Sequence, residues 1–261
     1  MRSDTVTLPS EGMRKAMNSA ALDDDVLDHD PTTLRLEEFA AGLAEDQARF
    51  GVTLIGGDTI RAPDALTLSL TAFGEVPQGG ALRRSGARAG DDIYVSGTIG
   101  DAALGLLAAE GGLGTIAPAQ RAALVARYRL PQPRTELGQR LIGLASAAID
   151  VSDGLVADLG HICAASGIGA RIEANLVPLS PAAGAACAND PKLLTHALAG
   201  GDDYELLITA PPRAAEQLGA AARAADTTLN RIGAIVGEAG VRVLVADGGE
   251  MEFASAGYTH F

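Results

Sequence analysis

The chain has 261 residues, of which 33 are acidic and 20 are basic, so its formal net charge is -13. This length allows one large domain or two ordinary ones, and the 47% hydrophobic content excludes a chain that is disordered throughout. The negative charge and the 3% aromatic content argue against a nucleic-acid-binding protein, which needs a basic surface and stacking side chains.

The sequence predicts a cytoplasmic protein that neither crosses a membrane nor contains a disulfide framework. Asp4, Glu11 and Arg14 interrupt any apolar signal segment, and every apolar run is shorter than the roughly 18 to 20 residues that span a bilayer. Cys163 and Cys187 are too few for a zinc cluster, and we expect them to be buried thiols in a reducing compartment.

In the first part of the chain, the pattern predicts one helix and two strands. An acidic run over residues 23–30 precedes a helix over 31–50, in which apolar residues recur with a period close to 3.6. The apolar segment 52–55 predicts a strand, and the alternation over 66–73 predicts a half-buried one. The polar segment 83–92 predicts a hinge at a domain boundary.

Beyond the hinge, short apolar strands alternate with alanine-rich helices up to the C-terminal region. DIYVSG, AIDVSDG and YELLIT are typical of strands, whereas residues 118–129 and LVADLGHICAASG are typical of helices. Dense alternation of this kind predicts an α/β or α+β fold with antiparallel or mixed strand pairing.

Common nucleotide and cofactor motifs are missing from the sequence. GxxxxGK[ST] does not occur, and neither Lys15 nor Lys192 follows a glycine loop, which excludes a P-loop nucleotide site. The histidines are scattered along the chain, as expected for surface or core residues: His29, His161, His196 and His260.

Aspartates instead follow the ends of several apolar strands. Asp58 comes after two glycines, which allow close approach of the backbone to a ligand. Asp150 and Asp153 flank Ser152 at a strand-to-helix junction. Ser152 or Asp153 could instead cap the helix that follows, but capping does not explain Asp150.

A third acidic cluster, Asp202 and Asp203, precedes the strand YELLIT. Mg²⁺ prefers hard oxygen ligands and commonly binds carboxylates together with substrate phosphates. Three such clusters therefore predict a seat for a nucleotide polyphosphate and its metal ions.

Five segments together resemble thiamine-phosphate kinases: LIGGDTIRAP, GALRRSGARAGDDIYVSGTIGDAALGL, AAIDVSDGLVADLGHICAASGIGARIE, LAGGDDYELL and GYTHF. The resemblance runs in order over residues 36–261. It implies the two-domain architecture of the aminoimidazole ribonucleotide synthetase superfamily, a homodimer, and ATP-dependent phosphorylation of thiamine phosphate to thiamine diphosphate with Mg²⁺.

The resemblance also implies roles for individual residues. Metal ligands would be Asp58, Asp150 and Asp153. Contacts with ATP would come from Gly57, Asp58, Arg84 and Ser152. Asp202 would bind the substrate, although the family usually has glutamate there, so the contact loses one methylene of reach. Ser255 stands where the family places an aromatic residue against the substrate, and Phe253 or Tyr258 could supply the ring instead.

The chain opens on RSDTVTLPSEGMRKAMNSAALDDDVLDHDPTTLRLEE, which includes Arg2-Ser3-Asp4-Thr5 and Asp30-Pro31-Thr32. Over about the first 36 residues this segment resembles a different family, the amino terminus of threonine aldolases. In the kinases, a Gly-Asp-Asp motif and a Thr-Thr-Asp motif upstream of the segment LIGGDT supply further metal ligands, and neither motif occurs in residues 1–53 of this sequence. We therefore expect three regions: a leader over 1–36, a truncated ATP-binding domain over 37–86 and an α/β domain over 87–261. We also expect impaired kinase activity.

Two other functions remain open. One is a non-catalytic module of the same fold that binds a nucleotide or acts in assembly. The other is a pyridoxal-phosphate-dependent threonine aldolase, which needs a Schiff-base lysine. Neither Lys15 nor Lys192 lies in the sequence context of the aldolase lysine, which disfavours that reading.

Overall fold

A computed structural model describes residues 31–58, 67–114, 116–255 and 257 of the chain. It separates into two compact units, Met1–Phe73 and Gly74–Phe261. None of the helices in the described ranges combines the length and the apolar composition needed to cross a membrane.

The described part of the first unit contains helix α1 (Pro31–Phe50), which confirms the helix predicted over these residues. Gln47 organises the end of this helix. Its carbonyl oxygen accepts a hydrogen bond from the Val52 amide at 3.2 Å, and its side-chain oxygen accepts one from the Leu54 amide at 2.8 Å.

The two strands predicted in this unit are wrong as far as the structure describes them. Residues 52–58 and 67–73 lie outside any strand, and their large apolar side chains are exposed, up to 83% at Leu70. An alternating pattern fits a half-buried strand only when a neighbouring strand completes the ladder. The described residues of this unit include no such neighbour.

The second unit is built on a six-stranded mixed sheet. Its strands are β1 (Asp92–Ser96), β2 (Ala147–Asp150), β3 (Gly169–Glu173), β4 (Leu206–Ala210), β5 (Leu229–Val236) and β6 (Gly240–Leu244). The spatial order is β2-β4-β1-β5-β3-β6. All pairs are antiparallel except β3 with β6, which is parallel. The predicted α/β fold with mixed pairing is therefore confirmed.

Seven α-helices and two short 3₁₀ turns are described between these strands. The α-helices are α2 (Asp101–Ala109), α3 (Pro118–Arg129), α4 (Thr135–Arg140), α5 (Leu155–Ser166), α6 (Pro181–Asn189), α7 (Lys192–Ala199) and α8 (Ala215–Ala224). The 3₁₀ turns are Ala174–Leu176 and Pro212–Ala214. The helices predicted over 118–129 and in LVADLGHICAASG are confirmed as α3 and α5.

Three apolar clusters fill the core. Side chains of α5, such as Leu159 and Ile162, pack with Ile93 of β1 and others in the largest cluster. A second cluster combines Leu141 with Leu218 of α8. A third cluster joins α2, α3, α6 and α7, mostly through small alanines. All three lie within Gly74–Phe261, so this unit has its own core.

The segment before β1 is tied to the second unit. The Arg83 carbonyl oxygen accepts a hydrogen bond from the Ala148 amide of β2 at 2.9 Å. The amides of Gly86 and Ala87 donate to Ser166 Oγ at the end of α5. The two units divide between Phe73 and Gly74, ahead of the hinge expected over 83–92.

Candidate functional site

Antiparallel pairing brings two of the predicted acidic loops together. Strands β2 and β4 pair with Asp150 opposite Leu206, so the loop after β2 and the loop before β4 emerge at the same edge of the sheet. The loops are hydrogen-bonded to each other. The Asp202 amide donates to the Ser152 carbonyl at 3.0 Å, and the Tyr204 amide donates to the Val151 carbonyl at 2.9 Å.

Two glycines make this close approach possible. A Cβ atom at Gly201 would overlap the Ser152 carbonyl oxygen. Gly154 has φ of 132°, which L side chains rarely adopt, and a Cβ there would overlap the Ala199 carbonyl oxygen at the end of α7. The Ser-Asp-Gly loop is therefore packed against both the Gly-Gly-Asp-Asp loop and helix α7.

A cavity of about 820 Å³ opens between these elements. Its walls are the loops after β2 and before β4, parts of α2 and α7, and residues near the C-terminus. The residues that line it are Ala103, Leu106, Ser152, Asp153, Lys192, Thr195, His196, Ala199, Gly200, Gly201, Asp202, Tyr204, Ala254, Ser255 and Gly257.

Three of the predicted site residues line this cavity together: Ser152, Asp153 and Asp202, all half-buried. Asp150 stands at the exposed end of β2. Its charge still acts on the cavity, because burial, the Asp202 carboxylate and, to a smaller extent, the Asp150 and Asp153 carboxylates all raise the pKa of Tyr204. The Tyr204 hydroxyl lies 3.4 Å from Asp202 Oδ1, to which it donates. The cavity therefore has one strongly acidic wall.

The other predicted residues lie elsewhere. Arg84 is exposed, follows Arg83 along the edge of β2, and is not among the residues that line the cavity. Gly57 and Asp58 belong to the first unit, where both are exposed. The structure therefore brings together the predicted residues of the second unit's two loops, and the roles of Gly57, Asp58 and Arg84 stay sequence-based predictions.

A buried carboxylate that the sequence reading did not single out holds the Ser-Asp-Gly loop. Asp158 Oδ2, on the first turn of α5, accepts hydrogen bonds from the amides of Ser152, Asp153 and Gly154 at 3.0, 3.1 and 3.1 Å. Burial raises the pKa of Asp158, although these three amides act in the opposite direction. Asp158 thus satisfies amides of the loop that leads into the helix. The N-cap residue of α5 is Gly154 and not Ser152 or Asp153, so the capping role considered for those two residues does not fit.

The loop before β4 alternates between the cavity and the interior. Asp202 and Tyr204 line the cavity, whereas Asp203 and Glu205 are buried. Asp203 accepts hydrogen bonds from the Gly100 and Ala102 amides at 2.7 and 3.1 Å, at the start of α2. Burial raises the pKa of Asp203 to about 7.

Glu205 is the centre of a buried ionic cluster. Its side chain is fully buried and accepts hydrogen bonds from Arg127 at 3.1 Å, from Arg134 at 2.7 and 2.5 Å, and from the Ser96 hydroxyl at 2.6 Å. The Asp203 carbonyl oxygen accepts a further bond from Arg127 at 3.3 Å. These contacts anchor the loop that carries Asp202.

The structure also locates the residues considered for an aromatic contact. Ser255 lines the cavity, whereas Phe253 packs against the largest apolar cluster, which disfavours Phe253 as a replacement ring. Tyr258 lies outside the described residues. Tyr204, which the sequence reading missed, is the aromatic side chain in the described lining and is 38% exposed.

The acidic wall offers oxygen donors for a metal ion. Ligand atoms of Asp153, Asp158 and His161 lie within 4.8 Å of one another. Asp158 Oδ2 already accepts hydrogen bonds from three backbone amides, so this oxygen holds the loop in place. Asp150 does not belong to this group, and its role as a metal ligand stays a sequence-based prediction.

Comparison with known proteins identifies two regions of different relationship. Residues 88–246 match the family AIR synthase related protein, C-terminal domain. Residues 1–53 match the family Beta-eliminating lyase, a match that extends beyond residue 36 and includes all of α1.

Relatives of the larger region are thiamine-monophosphate kinases. The chain is 43% identical over 208 residues to the thiamine-monophosphate kinase of Caulobacter vibrioides. The alignment covers 78% of this chain and 58% of the relative. This chain is 41% identical over 226 residues to the thiamine-monophosphate kinase of Salmonella typhimurium. That alignment covers 87% of this chain and 69% of the relative. The chain thus spans between half and three quarters of the length of these relatives.

A solved structure of AaThiL in complex with AMPPCP and TMP is similar in fold. It superimposes with a TM-score of 0.57 at 34% identity, over 69% of this chain and 54% of that chain. The chain is thus similar in sequence to thiamine-monophosphate kinases over most of its length, and residues 88–246 match the C-terminal domain family. The chain belongs to the thiamine-monophosphate kinase family.

Proposed function

We propose that the chain catalyses transfer of the γ-phosphoryl group of ATP to thiamine phosphate, which gives thiamine diphosphate and ADP. The observation that carries the proposal is the convergence of Ser152, Asp153 and Asp202 on one cavity of about 820 Å³ in a member of this family. The complex of the related AaThiL with AMPPCP and TMP supports the pairing of a nucleotide with a thiamine phosphate.

In this reaction a phosphate oxygen of thiamine phosphate attacks the γ-phosphorus of ATP. One P–O bond forms, and the bond from the γ-phosphorus to the oxygen that bridges it to the β-phosphorus breaks. Phosphoryl transfer depends mainly on positioning the reactants and neutralising their charge. A wall of aspartates without a P-loop lysine suits that requirement when metal ions are bound.

We propose that Asp150 and Asp153 hold Mg²⁺ and that Ser152 contacts the nucleotide. Bound Mg²⁺ would neutralise the phosphates that meet at the acidic wall. The residues fit this role because both carboxylates stand at one edge of the sheet and Asp158 holds the intervening loop through three amides. Asp58, Gly57 and Arg84 are proposed as further metal or ATP contacts from the sequence alone.

Asp202 is proposed to contact the thiamine part of the substrate. It lines the cavity beside Tyr204, and its backbone is fixed to Ser152 by a hydrogen bond of 3.0 Å. Thiamine phosphate carries a positively charged ring, which an aspartate can pair with. We also propose that the protein acts as a homodimer in the cytoplasm, where ATP and Mg²⁺ are available; gel filtration with light scattering tests the dimer.

A coupled assay of ADP release with thiamine phosphate, ATP and Mg²⁺ tests the activity. As the sequence predicts, we expect turnover that is slower than that of a full-length relative. Asp153→Asn should reduce it further by at least about a hundredfold, since one lost metal ligand removes charge neutralisation from the transition state. Asp247→Asn, an exposed aspartate outside the cavity, is the matched control and should leave the rate unchanged.

The assay separates this proposal from the alternative functions. Mg²⁺-dependent ATP binding without ADP release would contradict catalysis by this chain and would favour a non-catalytic nucleotide-binding module. An absorbance band from bound pyridoxal phosphate that Lys192→Ala or Lys15→Ala abolishes would instead favour the aldolase reading.

A further inference from the structure

Helix α7 forms a second wall of the cavity, and its chemistry differs from that of the acidic wall. Lys192, Thr195, His196 and Ala199 all line the cavity. Their spacing of three, four and seven residues places them on one face of the helix. Lys192 and His196 are both exposed, so the face presents an ammonium group and an imidazole to the cavity.

The acidic side chains do not neutralise the lysine directly. Among the residues that the structure describes, Lys192 forms no ion pair with a carboxylate within 4.0 Å, although Asp153 and Asp202 line the same cavity. The cavity therefore has an acidic side and a basic side that remain separate. A ligand with both charges would satisfy both sides.

Backbone packing fixes the position of the basic wall. The Gly200 amide donates to the His196 carbonyl oxygen at 2.8 Å, which joins the last turn of α7 to the loop that carries Asp202. The Ala199 carbonyl oxygen lies against Gly154 so closely that a Cβ would not fit between them. Helix α7, which carries the basic wall, is thus packed against the Ser-Asp-Gly loop of the acidic wall through main-chain contacts.

We infer that Lys192 and His196 bind the phosphate group of the acceptor substrate and make the site prefer thiamine phosphate over unphosphorylated thiamine. The inference rests on the proposed function, because thiamine phosphate combines a positively charged ring with an anionic phosphate. The metal ions on the acidic wall and the donors of the α7 wall would hold the phosphate between them, and Asp202 would contact the ring. A lysine ammonium and an imidazole N–H are both suitable donors to phosphate.

Binding of the two compounds to the full chain tests the inference directly. Titration calorimetry in the presence of Mg²⁺ and AMPPCP measures the dissociation constants of thiamine phosphate and of thiamine. We expect the unaltered chain to prefer thiamine phosphate. Lys192→Met should reduce that preference about tenfold, the size expected for loss of one charge-assisted hydrogen bond, with little change for thiamine itself.

Three further variants separate a phosphate contact from a general effect. Lys192→Arg keeps the charge and should retain most of the preference. His196→Gln should reduce it by a smaller factor. Arg213→Met removes an exposed positive charge that does not line the cavity, and it should leave both constants unchanged.

Each remaining outcome would count against a specific statement. If Lys192→Met and His196→Gln leave the preference intact, or weaken both compounds equally, the inference is wrong while the proposed function stands. If the unaltered chain binds both compounds equally well, the inference is also wrong. If it binds neither compound, the proposed substrate and the inference fail together.

Discussion

Asp158 shows how a single buried carboxylate can set the geometry of a loop. Its Oδ2 atom accepts three amide hydrogen bonds, and the residue is 1% exposed. Asp158→Ala would leave three amides without their acceptor. We expect it to lower the free energy of unfolding by roughly 3 kcal/mol, at about 1 kcal/mol or more for each lost bond.

Urea unfolding followed by circular dichroism measures this change. Asp158→Asn keeps a carbonyl oxygen in place and should cost less than the alanine variant. Glu216→Gln, at an exposed acidic residue of α8, is the control and should change the stability by less than about 0.5 kcal/mol. Equal stability of Asp158→Ala and the unaltered chain would show that the loop does not depend on this carboxylate.

The raised pKa of the buried Asp203 carboxyl predicts that the stability of the protein depends on pH. Burial raises its pKa to about 7, above the ordinary value of 3.8, so the folded state binds a proton that the unfolded state has released between these pH values. The contribution of Asp203 to the free energy of unfolding should therefore fall as the pH rises from about 4 to about 7, and then stay constant.

The free energy of unfolding in urea is measured at pH 5 and at pH 7.5 for the unaltered chain and for Asp203→Asn. Comparing the two proteins separates the contribution of Asp203 from those of other acidic groups. The stability lost by the unaltered chain between the two pH values should exceed that lost by Asp203→Asn. If both lose the same amount, Asp203 does not titrate in this range.

At the scale of the secondary-structure elements, the Glu205 cluster joins β4 to α3 and to the residue before α4. Glu205 is fully buried and pairs with Arg127 and Arg134. Removing the carboxylate leaves two guanidinium groups partly buried without their partner. We expect Glu205→Ala to lower the free energy of unfolding by about 3 to 5 kcal/mol.

Thermal and urea unfolding of Glu205→Ala test this expectation against a matched ion pair on the surface. Glu238 pairs with Arg242 at 3.2 Å, but both side chains are largely exposed. Glu238→Ala should cost less than about 1 kcal/mol. A similar cost for both variants would mean that burial adds nothing to the Glu205 cluster.

The sequence indicated the elements of the second unit better than those of the first. Apolar runs such as DIYVSG and LVADLGHICAASG have both a local pattern and a partner to pack against, and they form β1 and α5. Residues 67–73 have the alternation of a strand but no described partner, and local pattern alone cannot supply one. The pairing of β2 with β4, which unites Asp153 and Asp202, is likewise a long-range contact.

The sequence could indicate only those site residues that a local pattern marks. Aspartates after strands were recognisable because strand ends gather at sheet edges. Asp158 was hidden within a helical pattern, and its role depends on the direction of its side chain toward the preceding loop. Lys192 and Tyr204 became candidates only once folding placed them on the walls of one cavity. The Glu-to-Arg pairs span more than 70 residues of sequence, which no local motif reveals.

At the scale of the whole molecule, the second unit contains all three apolar clusters and the six-stranded sheet. We therefore expect residues 74–261 to fold when expressed alone. Their thermal unfolding should be cooperative, with a midpoint within about 5 °C of the main transition of the full chain, because a unit with its own core can unfold as one cooperative domain.

Differential scanning calorimetry and circular dichroism of both proteins measure this. The shortened chain should keep the far-ultraviolet signal of a mixed α/β fold. A broad transition, or one shifted down by more than about 15 °C, would show that residues 1–73 contribute to the stability of the sheet.

The alternation along the loop before β4 has a consequence for how this stretch tolerates substitution. Asp202 and Tyr204 line the cavity, and Asp203 and Glu205 are buried among main-chain amides and guanidinium groups. A saturation library scored separately for abundance in cells and for ligand binding should therefore show two interleaved profiles. Changes at 203 and 205 should deplete the protein itself, whereas changes at 202 and 204 should leave its abundance near normal and reduce binding. Four consecutive codons would then report alternately on folding and on recognition.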